Sequence, residues 1–352
     1  MNYNIKVKRC SCCVMPEYKD VIKLDSSGMC SLCSERLTTE KLEQVGNESF
    51  DGASPEHKMQ VFKKKVERFK TPGSKYDCAV AVSGGKDSIM TLYIARKQLG
   101  LNPLAIFIDN GFALEQMYEN VRNASDVLGC DLVIFKSSEV AGMFRYLLQS
   151  GKNIYYCRVC HALLDLKINE ICAQNDIKLV LGGYTKGQQY IRNSELFRIY
   201  EESDANTIEL FEANPEFSAY TELFRGQTAY FRKHFPQIAH MSPFRYVEWN
   251  EEEILQTIRT ELKFKLPERS WPDKSSNCSF NYVAQLLAMK QFGFAQHEAE
   301  LSELVRKGEL SRSRALEIIE TPIETEDLER ALKPLRLEIG DIISDRCNAA
   351  MS

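Results

Sequence analysis

The chain has 352 residues, 44% hydrophobic and 27% charged, enough to bury a sizeable core in one principal domain with appendages. A formal net charge of -4 gives no global pull toward nucleic acid, which disfavours phosphate-rich macromolecular substrates. No apolar run approaches the ~20 residues that cross a bilayer, and the opening Met1 to Lys6 lacks the apolar stretch of a signal peptide, so a cytoplasmic protein with no membrane partner is expected.

The first unit, residues 1 to about 36, is rich in cysteine. Twelve cysteines in a chain without an export signal argue for metal or redox chemistry rather than a disulfide framework. Cys10-x2-Cys13 and Cys30-x2-Cys33 stand sixteen residues apart, with Gly28 just before the second pair. Paired knuckles of this kind bring four thiolates into tetrahedral reach, which suits Zn2+ at a closed structural site. So short a segment needs such a staple to fold. Cys12 could replace Cys13 as ligand, and an iron site of rubredoxin type would use the same four residues. Cys78, Cys130, Cys172 and Cys347 are scattered and read as small buried hydrophobes.

Residues 37–74 read as a polar linker, then a helix over about 57–70 and the turn Thr71-Pro72-Gly73-Ser74. From there strands and helices alternate. Strands are expected over 77–82, 103–108, 131–135 and 178–181, and helices over 87–99, 114–128, 140–149 and 161–175. That rhythm predicts an α/β fold, a doubly wound parallel sheet covered on both faces, with ligands beyond the carboxyl ends of its strands. Residues 190–250 show no clear period, and helices are expected again over 251–262, 281–292, 297–307, 311–319 and 326–332. The reading is therefore a knuckle unit (1–36), a linker with a helix (37–74), a nucleotide domain (75–250) and a helical C-terminal region (251–352).

Between the first strand and its helix lies Val82-Ser83-Gly84-Gly85-Lys86-Asp87-Ser88. Two glycines let the backbone turn tightly against oxyanions, and the N–H groups of the helix start and the hydroxyls of Ser83 and Ser88 complete a pyrophosphate cradle. Lys86 can neutralise a leaving group, and Asp87 is suited to hold Mg2+ against the phosphates. A plain serine-glycine turn capping a helix is the competing reading. The Walker pattern G-x-x-x-x-G-K-[ST] is absent, which argues against transfer of the γ-phosphate.

The loop matches S-G-G-x-D-S, the signature of the PP-loop ATP pyrophosphatases, and the strand-helix pattern of 77–183 resembles their catalytic domain, an adenine nucleotide alpha hydrolase-like, Rossmann-like fold. The resemblance implies cleavage of ATP to AMP and pyrophosphate, with AMP going to a substrate oxygen. It also implies that Asp109, in Ile108-Asp109-Asn110-Gly111, lies where the adenosine moiety is held. Gly182, Gly183 and Lys186, after the fourth strand, would close over the phosphates.

Cys157-Arg158-Val159-Cys160-His161 opens a helix, where the dipole favours thiolates. Inert thiols are the simpler reading. Placed 74 residues after Ser83, the pair resembles that of PP-loop tRNA thiolation enzymes, and the resemblance implies a four-iron four-sulfur cluster on Cys157, Cys160 and a downstream cysteine, here Cys278, with one iron position open. Alternatively Cys157 and Cys160 are themselves catalytic through persulfide and disulfide.

The opening Arg9-Cys10-Ser11-Cys12-Cys13-Val14-Met15-Pro16, continued by Asp25-Ser26-Ser27-Gly28-Met29-Cys30-Ser31-Leu32-Cys33, resembles the start of the N-acetyl sugar amidotransferases of surface-polysaccharide biosynthesis. Ser302 to Arg312 followed by Ala315-Leu316-Glu317 resembles their C-terminal signature. That resemblance implies adenylation of an acetamido oxygen of an amino sugar and its displacement by ammonia from a separate glutaminase. The loop at 182–188 and Cys278 depart from that family's pattern, so sulfur insertion, fed by a sulfur-donor protein, stands as the alternative. Both share the first half-reaction, with Lys86 and Asp87 as catalytic groups. A zinc-containing nucleotide- or RNA-binding module is the non-enzyme alternative; only Lys6, Lys8 and Arg9 form a basic cluster at the knuckle.

Overall fold

The structure, a computed structural model, describes residues 7–18, 22–38, 53–184, 197–271, 277–292 and 297–343. Its centre is a five-stranded parallel sheet in the order β3-β2-β1-β4-β5, built from β1 Cys78–Ala81, β2 Pro103–Asp109, β3 Leu132–Lys136, β4 Leu179–Gly182 and β5 Ala239–Met241. The register pairs Val80 with Ala105 on one side and with Leu181 on the other. The chain runs outward from β1 through β2 to β3, then crosses back to place β4 on the opposite side of β1. Strand order thus reverses between β1 and β4, the place where ligands of such sheets bind.

Helices precede and follow the strands. Helix α1 is Ser31–Thr38 and α2 is Pro55–Glu67, the latter started by Ser54, whose side chain accepts from the His57 N–H, and by Pro55 at its first position. Then come α3 Lys86–Tyr93, continued by a π-helical turn Ile94–Gln98, α4 Glu115–Leu128, α5 Glu139–Gln149 and α6 Tyr156–Gln174. Helix α6 begins five residues before the expected 161, which puts Cys157 and Cys160 on its first turns.

Side chains alternate across the strands and divide between two layers. Val80, Ala105 and Phe107 point into a core with Phe62, Ile89, Leu92 and Val121, whereas Ala79, Leu104, Ile106 and Ile108 pack on Ile168, Ile171 and Cys172 of α6. The first layer also takes Ile254, Ile258 and Leu262 of α10 Glu251–Leu262, a helix whose start is capped by Asn250 and carries three glutamates against its positive end.

The stretch without visible period contains structure: α7 Phe197–Ala213, α8 Thr221–Arg225, α9 Gln227–His234 and the edge strand β5. The buried face of α7 repeats every four residues as Ser203, Thr207 and Phe211. Two of these three are hydroxyls, satisfied because Ser203 Oγ accepts from the Tyr155 N–H at 2.7 Å and Thr207 Oγ1 donates to the Ser203 carbonyl at 2.8 Å, and they interrupt the apolar pattern that Ile208, Leu210 and Phe211 would otherwise show. Strand β5 spans three residues, too short for alternation to register.

The C-terminal helices α11 Asn281–Phe292, α12 Glu298–Arg306, α13 Arg312–Ile319, α14 Thr325–Leu332 and α15 Ile339–Ile343 share a core with α5 and α6 around the buried Trp271, Phe144 and Phe280. The knuckle forms a smaller core of its own, closed by Ala288, Phe292 and Ala299 of α11 and α12. No helix among the described residues is long and apolar enough to cross a membrane.

Candidate functional site

At the reversal of strand order, the turn from β1 to α3 carries Ser83 to Ser88. Gly84 has φ +80°, and a Cβ there would stand 2.5 Å from the Met117 carbonyl oxygen, so both conformation and packing require glycine. Ser88 Oγ accepts from the Ser83 N–H at 3.0 Å and donates to the Gly85 carbonyl at 3.0 Å, which folds the loop back onto the helix start. Gly85 is the residue that caps α3. Asn120 of α4 fixes the loop from outside, its amide donating to the Gly84 carbonyl at 3.0 Å and to the Lys265 carbonyl at 2.8 Å. A Cβ on Gly183, just past β4, would meet the Ser88 nitrogen at 2.6 Å. The start of α3 and the chain just past β4 therefore approach main chain to main chain. Lys186 lies outside the described residues.

Charge is concentrated at the start of α3. Lys86 Nζ sits 3.5 Å from Asp87 Oδ2 and 3.3 Å from Glu251 Oε1 of α10. Burial works against the ammonium, but Asp87 and Glu251 outweigh it and hold the Lys86 pKa above its ordinary value. Trp249 donates its indole N–H to Asp87 Oδ1 at 2.7 Å, orienting the carboxylate. An oriented carboxylate beside a bed of backbone N–H groups suits Mg2+ paired with phosphate oxygens.

Asp109 ends β2 with its side chain buried and accepts from the Gly111 N–H at 2.8 Å, shaping the turn beyond the strand. The next residue, Asn110, faces the cysteines. Its amide donates to Cys160 Sγ at 3.3 Å and also hydrogen-bonds Cys278. Cys157 Sγ lies 3.7 Å from Asn281 Oδ1 at the start of α11. Burial, reinforced by Cys278, pushes the Cys160 thiol up to about 12, and burial together with Cys157 does the same to Cys278. Residues separated by more than a hundred positions thus surround one crevice. An aromatic cluster sets their register: Phe280 packs in tilted contact with Phe112, Phe144 and Tyr156, ring centroids 5.0, 4.6 and 5.4 Å away. Phe112 follows Asn110 by two residues, Phe280 follows Cys278 by two, and Tyr156 precedes Cys157.

The phosphate loop and the thiols meet through one dipeptide. Asn277 donates its amide to Ser83 Oγ at 2.7 Å, while Cys278 pairs with Ala113 in an antiparallel bridge. The sequence singles out Cys278 but not Asn277, Asn110, Asn120 or Trp249, because an amide or indole acquires meaning only through the partner that folding supplies. Two further groups were also missed. Glu300 of α12 has Lys86 and Asp87 as its charged neighbours, and no hydrogen bond reaches it among the described residues; burial pushes its carboxyl up to about 7. His297 is lowered to about 4 by burial and by His161, and its ring lies 5.4 Å from that of Trp271.

In the knuckle, Cys10, Cys13, Cys30 and Cys33 are all buried, with their sulfurs within 4.8 Å of one another. Cys12 is exposed and outside the group. Backbone N–H groups of Cys30 and Met15 point at Cys10 Sγ and Cys13 Sγ from 3.3 and 3.4 Å. Hydrogen bonds from Cys30 and Cys33 hold the Cys13 thiol far below the usual thiol range and raise those two in exchange, so the three sulfurs share one negative charge. The donor set fits Zn2+ or iron in tetrahedral geometry. No second group of three or more ligand atoms closes to that distance among the described residues.

Residues 77–263 match the phosphoadenosine phosphosulfate reductase domain family, and residues 276–340 match the C-terminal domain of LPS biosynthesis protein WbpG-like sequences. An uncharacterised protein of Methanocaldococcus jannaschii is 24% identical over 285 residues, covering 80% of this chain and 87% of the relative. Among solved structures, the chain is similar to the U34-tRNA thiolase NcsA from Methanococcus maripaludis with its four-iron four-sulfur cluster, at 15% identity and TM-score 0.34, over 88% of this chain and 87% of that one. It is also similar to the NH3-dependent NAD synthetase from Campylobacter jejuni in complex with the nitrate ion, at 13% identity and TM-score 0.32, over 61% and 96%.

Proposed function

Since the chain belongs to the phosphoadenosine phosphosulfate reductase domain family, within the PP-loop ATP pyrophosphatase superfamily of ATP-using enzymes, we propose that it adenylates the amide oxygen of an N-acetylated sugar and replaces that oxygen with nitrogen, in surface-polysaccharide biosynthesis. The observation that carries this reading is the WbpG-like C-terminal match: its segment, 276–340, delivers Asn277 onto Ser83 of the phosphate loop and Glu300 toward Lys86.

In this reading Ser83, Gly84, Gly85 and Ser88 cradle the phosphates, Asp109 and the turn after β2 face the adenosine, and Gly182 and Gly183 close the far side. The amide oxygen attacks the α-phosphorus, the α–β bond breaks, and pyrophosphate leaves against Lys86. Asp87 would hold Mg2+, which when bound would supply further charge neutralisation. Ammonia, delivered by a glutaminase partner, then attacks the activated carbon, and the carbon–oxygen bond breaks to release AMP. Glu300, poised near neutrality, accepts the proton that the incoming nitrogen sheds.

A second reading replaces ammonia by sulfide. It is favoured by one observation, the convergence of Cys160 and Cys278 on Asn110 with Cys157 near Cys278, next to the residue that bonds Ser83. Three thiolates would suit an iron-sulfur cluster with an open iron, which supplies Lewis acidity or carries sulfide when bound. The test is incubation with ATP, Mg2+, ammonium and UDP-N-acetylglucosamine. AMP and pyrophosphate are expected in equal amounts, falling about 100- to 1000-fold in D87N. ADP as the nucleotide product would overturn both readings; near four irons per chain after anaerobic purification would establish the second over the first.

A further inference from the structure

A metal bound by four thiolates carries a net charge of about -2, and the four knuckle cysteines are buried, so that charge needs compensation away from water. Part comes from the two backbone N–H groups aimed at Cys10 and Cys13. The rest comes from the other end of the chain. Arg306, on the last turn of α12, points a guanidinium N–H at Cys13 Sγ from 3.4 Å, with its side chain only 8% exposed. Glu303 is shared between Arg306 and Lys307 at 2.8 and 3.5 Å, which leaves the trio one positive charge beside the sulfur.

Further contacts tie the two units. Arg312 at the start of α13 donates to the carbonyls of Cys10 and Cys13 at 3.2 and 2.8 Å, holding the backbone of the first knuckle. Arg9 forks onto Glu298 with N–O distances of 3.1 and 3.0 Å, and the Glu298 side chain is wholly buried. Ala288, Phe292 and Ala299 close the knuckle's apolar side. Two residues beyond Glu298 on the same helix, Glu300 lies within electrostatic reach of Lys86 and Asp87.

We propose that Arg306 completes the metal centre of the knuckle as a positioning residue, so that metal occupancy and the docking of α12 stabilise each other. By linkage, whatever the metal gains from the docked helix the helix gains from the metal. The knuckle is then a clamp that holds one wall of the nucleotide crevice, and its effect does not depend on whether nitrogen or sulfur is transferred.

The experiment uses the full chain loaded with zinc, a chromophoric chelator to read metal release, and amide hydrogen exchange. R306Q is expected to weaken zinc retention about 10- to 100-fold, as loss of a partner behind a metal ligand does, with R306K recovering most of it. Zinc removal from the parent protein is expected to raise exchange in Asn281–Phe292 and Glu298–Arg306 while Cys78–Ala81 and Pro103–Asp109 stay protected. Zinc retention unchanged in an R306Q protein whose sheet exchange is normal would overturn the proposal. So would helix exchange indifferent to zinc, or a chain that binds no metal at the knuckle.

Discussion

In the knuckle, four sulfurs lie within 4.8 Å of one another, all buried, with backbone N–H groups and an arginine behind them. At the crevice, Cys157, Cys160 and Cys278 do not close to that distance; amide side chains stand beside them, Asn110 on Cys160 and Asn281 on Cys157, and Asn277 links their neighbourhood to Ser83. The first arrangement offers a metal four ligands and so fills a tetrahedral shell; the second offers three thiols at most. Two glutamates of α12 repeat the contrast. Glu298 faces the knuckle, paired with Arg9, whereas Glu300 faces the crevice without a hydrogen bond among the described residues. Closure marks the part that holds the fold, and incompleteness marks the part that does chemistry.

The largest expected effect breaks the closed site. C13S should abolish metal binding at the knuckle and, because binding energy there is folding energy, lose the docking of the C-terminal helices; metal stoichiometry and a fall in melting temperature check it. The matching change at the crevice should leave the fold alone. C160S, nearly isosteric, is expected to shift stability by about 1 kcal/mol or less. Under the sulfur reading it lowers product formation by at least about 100-fold, and under the nitrogen reading it leaves pyrophosphate release near that of the parent; parallel denaturation and turnover assays distinguish these outcomes.

How much of this contrast was legible in the sequence depended on distance along the chain. The paired C-x2-C knuckles and Ser83 to Ser88 were readable because their ligands lie within a few residues and their spacing is itself the signal. The sheet was readable through β4 from continuous apolar runs. Helix α7 was hidden because Ser203 and Thr207 occupy its buried face. Asn110, Asn277 and Glu300 were hidden because nothing local distinguishes them: their roles arise from partners 50, 194 and more than 200 positions away.

The smallest expected effect sharpens the contrast on α12 through pH. Glu300, raised from 4.5 to about 7 beside Lys86 and Asp87, binds its proton more tightly folded than unfolded, so its contribution to stability is present below pH 4.5 and lost as pH rises to about 7. His297, lowered from 6.5 to about 4 beside His161, acts in the opposite sense, its burial costing stability as pH falls below 6.5. The two slopes oppose each other in the parent protein, each worth roughly 1–3 kcal/mol. E300Q should therefore become steadily more stable from pH 4 to 6.5, and H297Q less stable from pH 4.5 to 7; urea midpoints across that range check both signs.

Asn277 and Cys278 are consecutive residues in a bend, the first donating to the hydroxyl of Ser83 and the second lying near the thiols of Cys157 and Cys160. The turn at Ser83 and the sulfur of Cys278 are thus coupled through one hydrogen bond and a single planar peptide, about 3.8 Å from one Cα to the next. Lengthening this strut by one residue would let either the amide or the sulfur keep its partner but not both, which makes the junction intolerant of insertion even though it sits in a connecting loop.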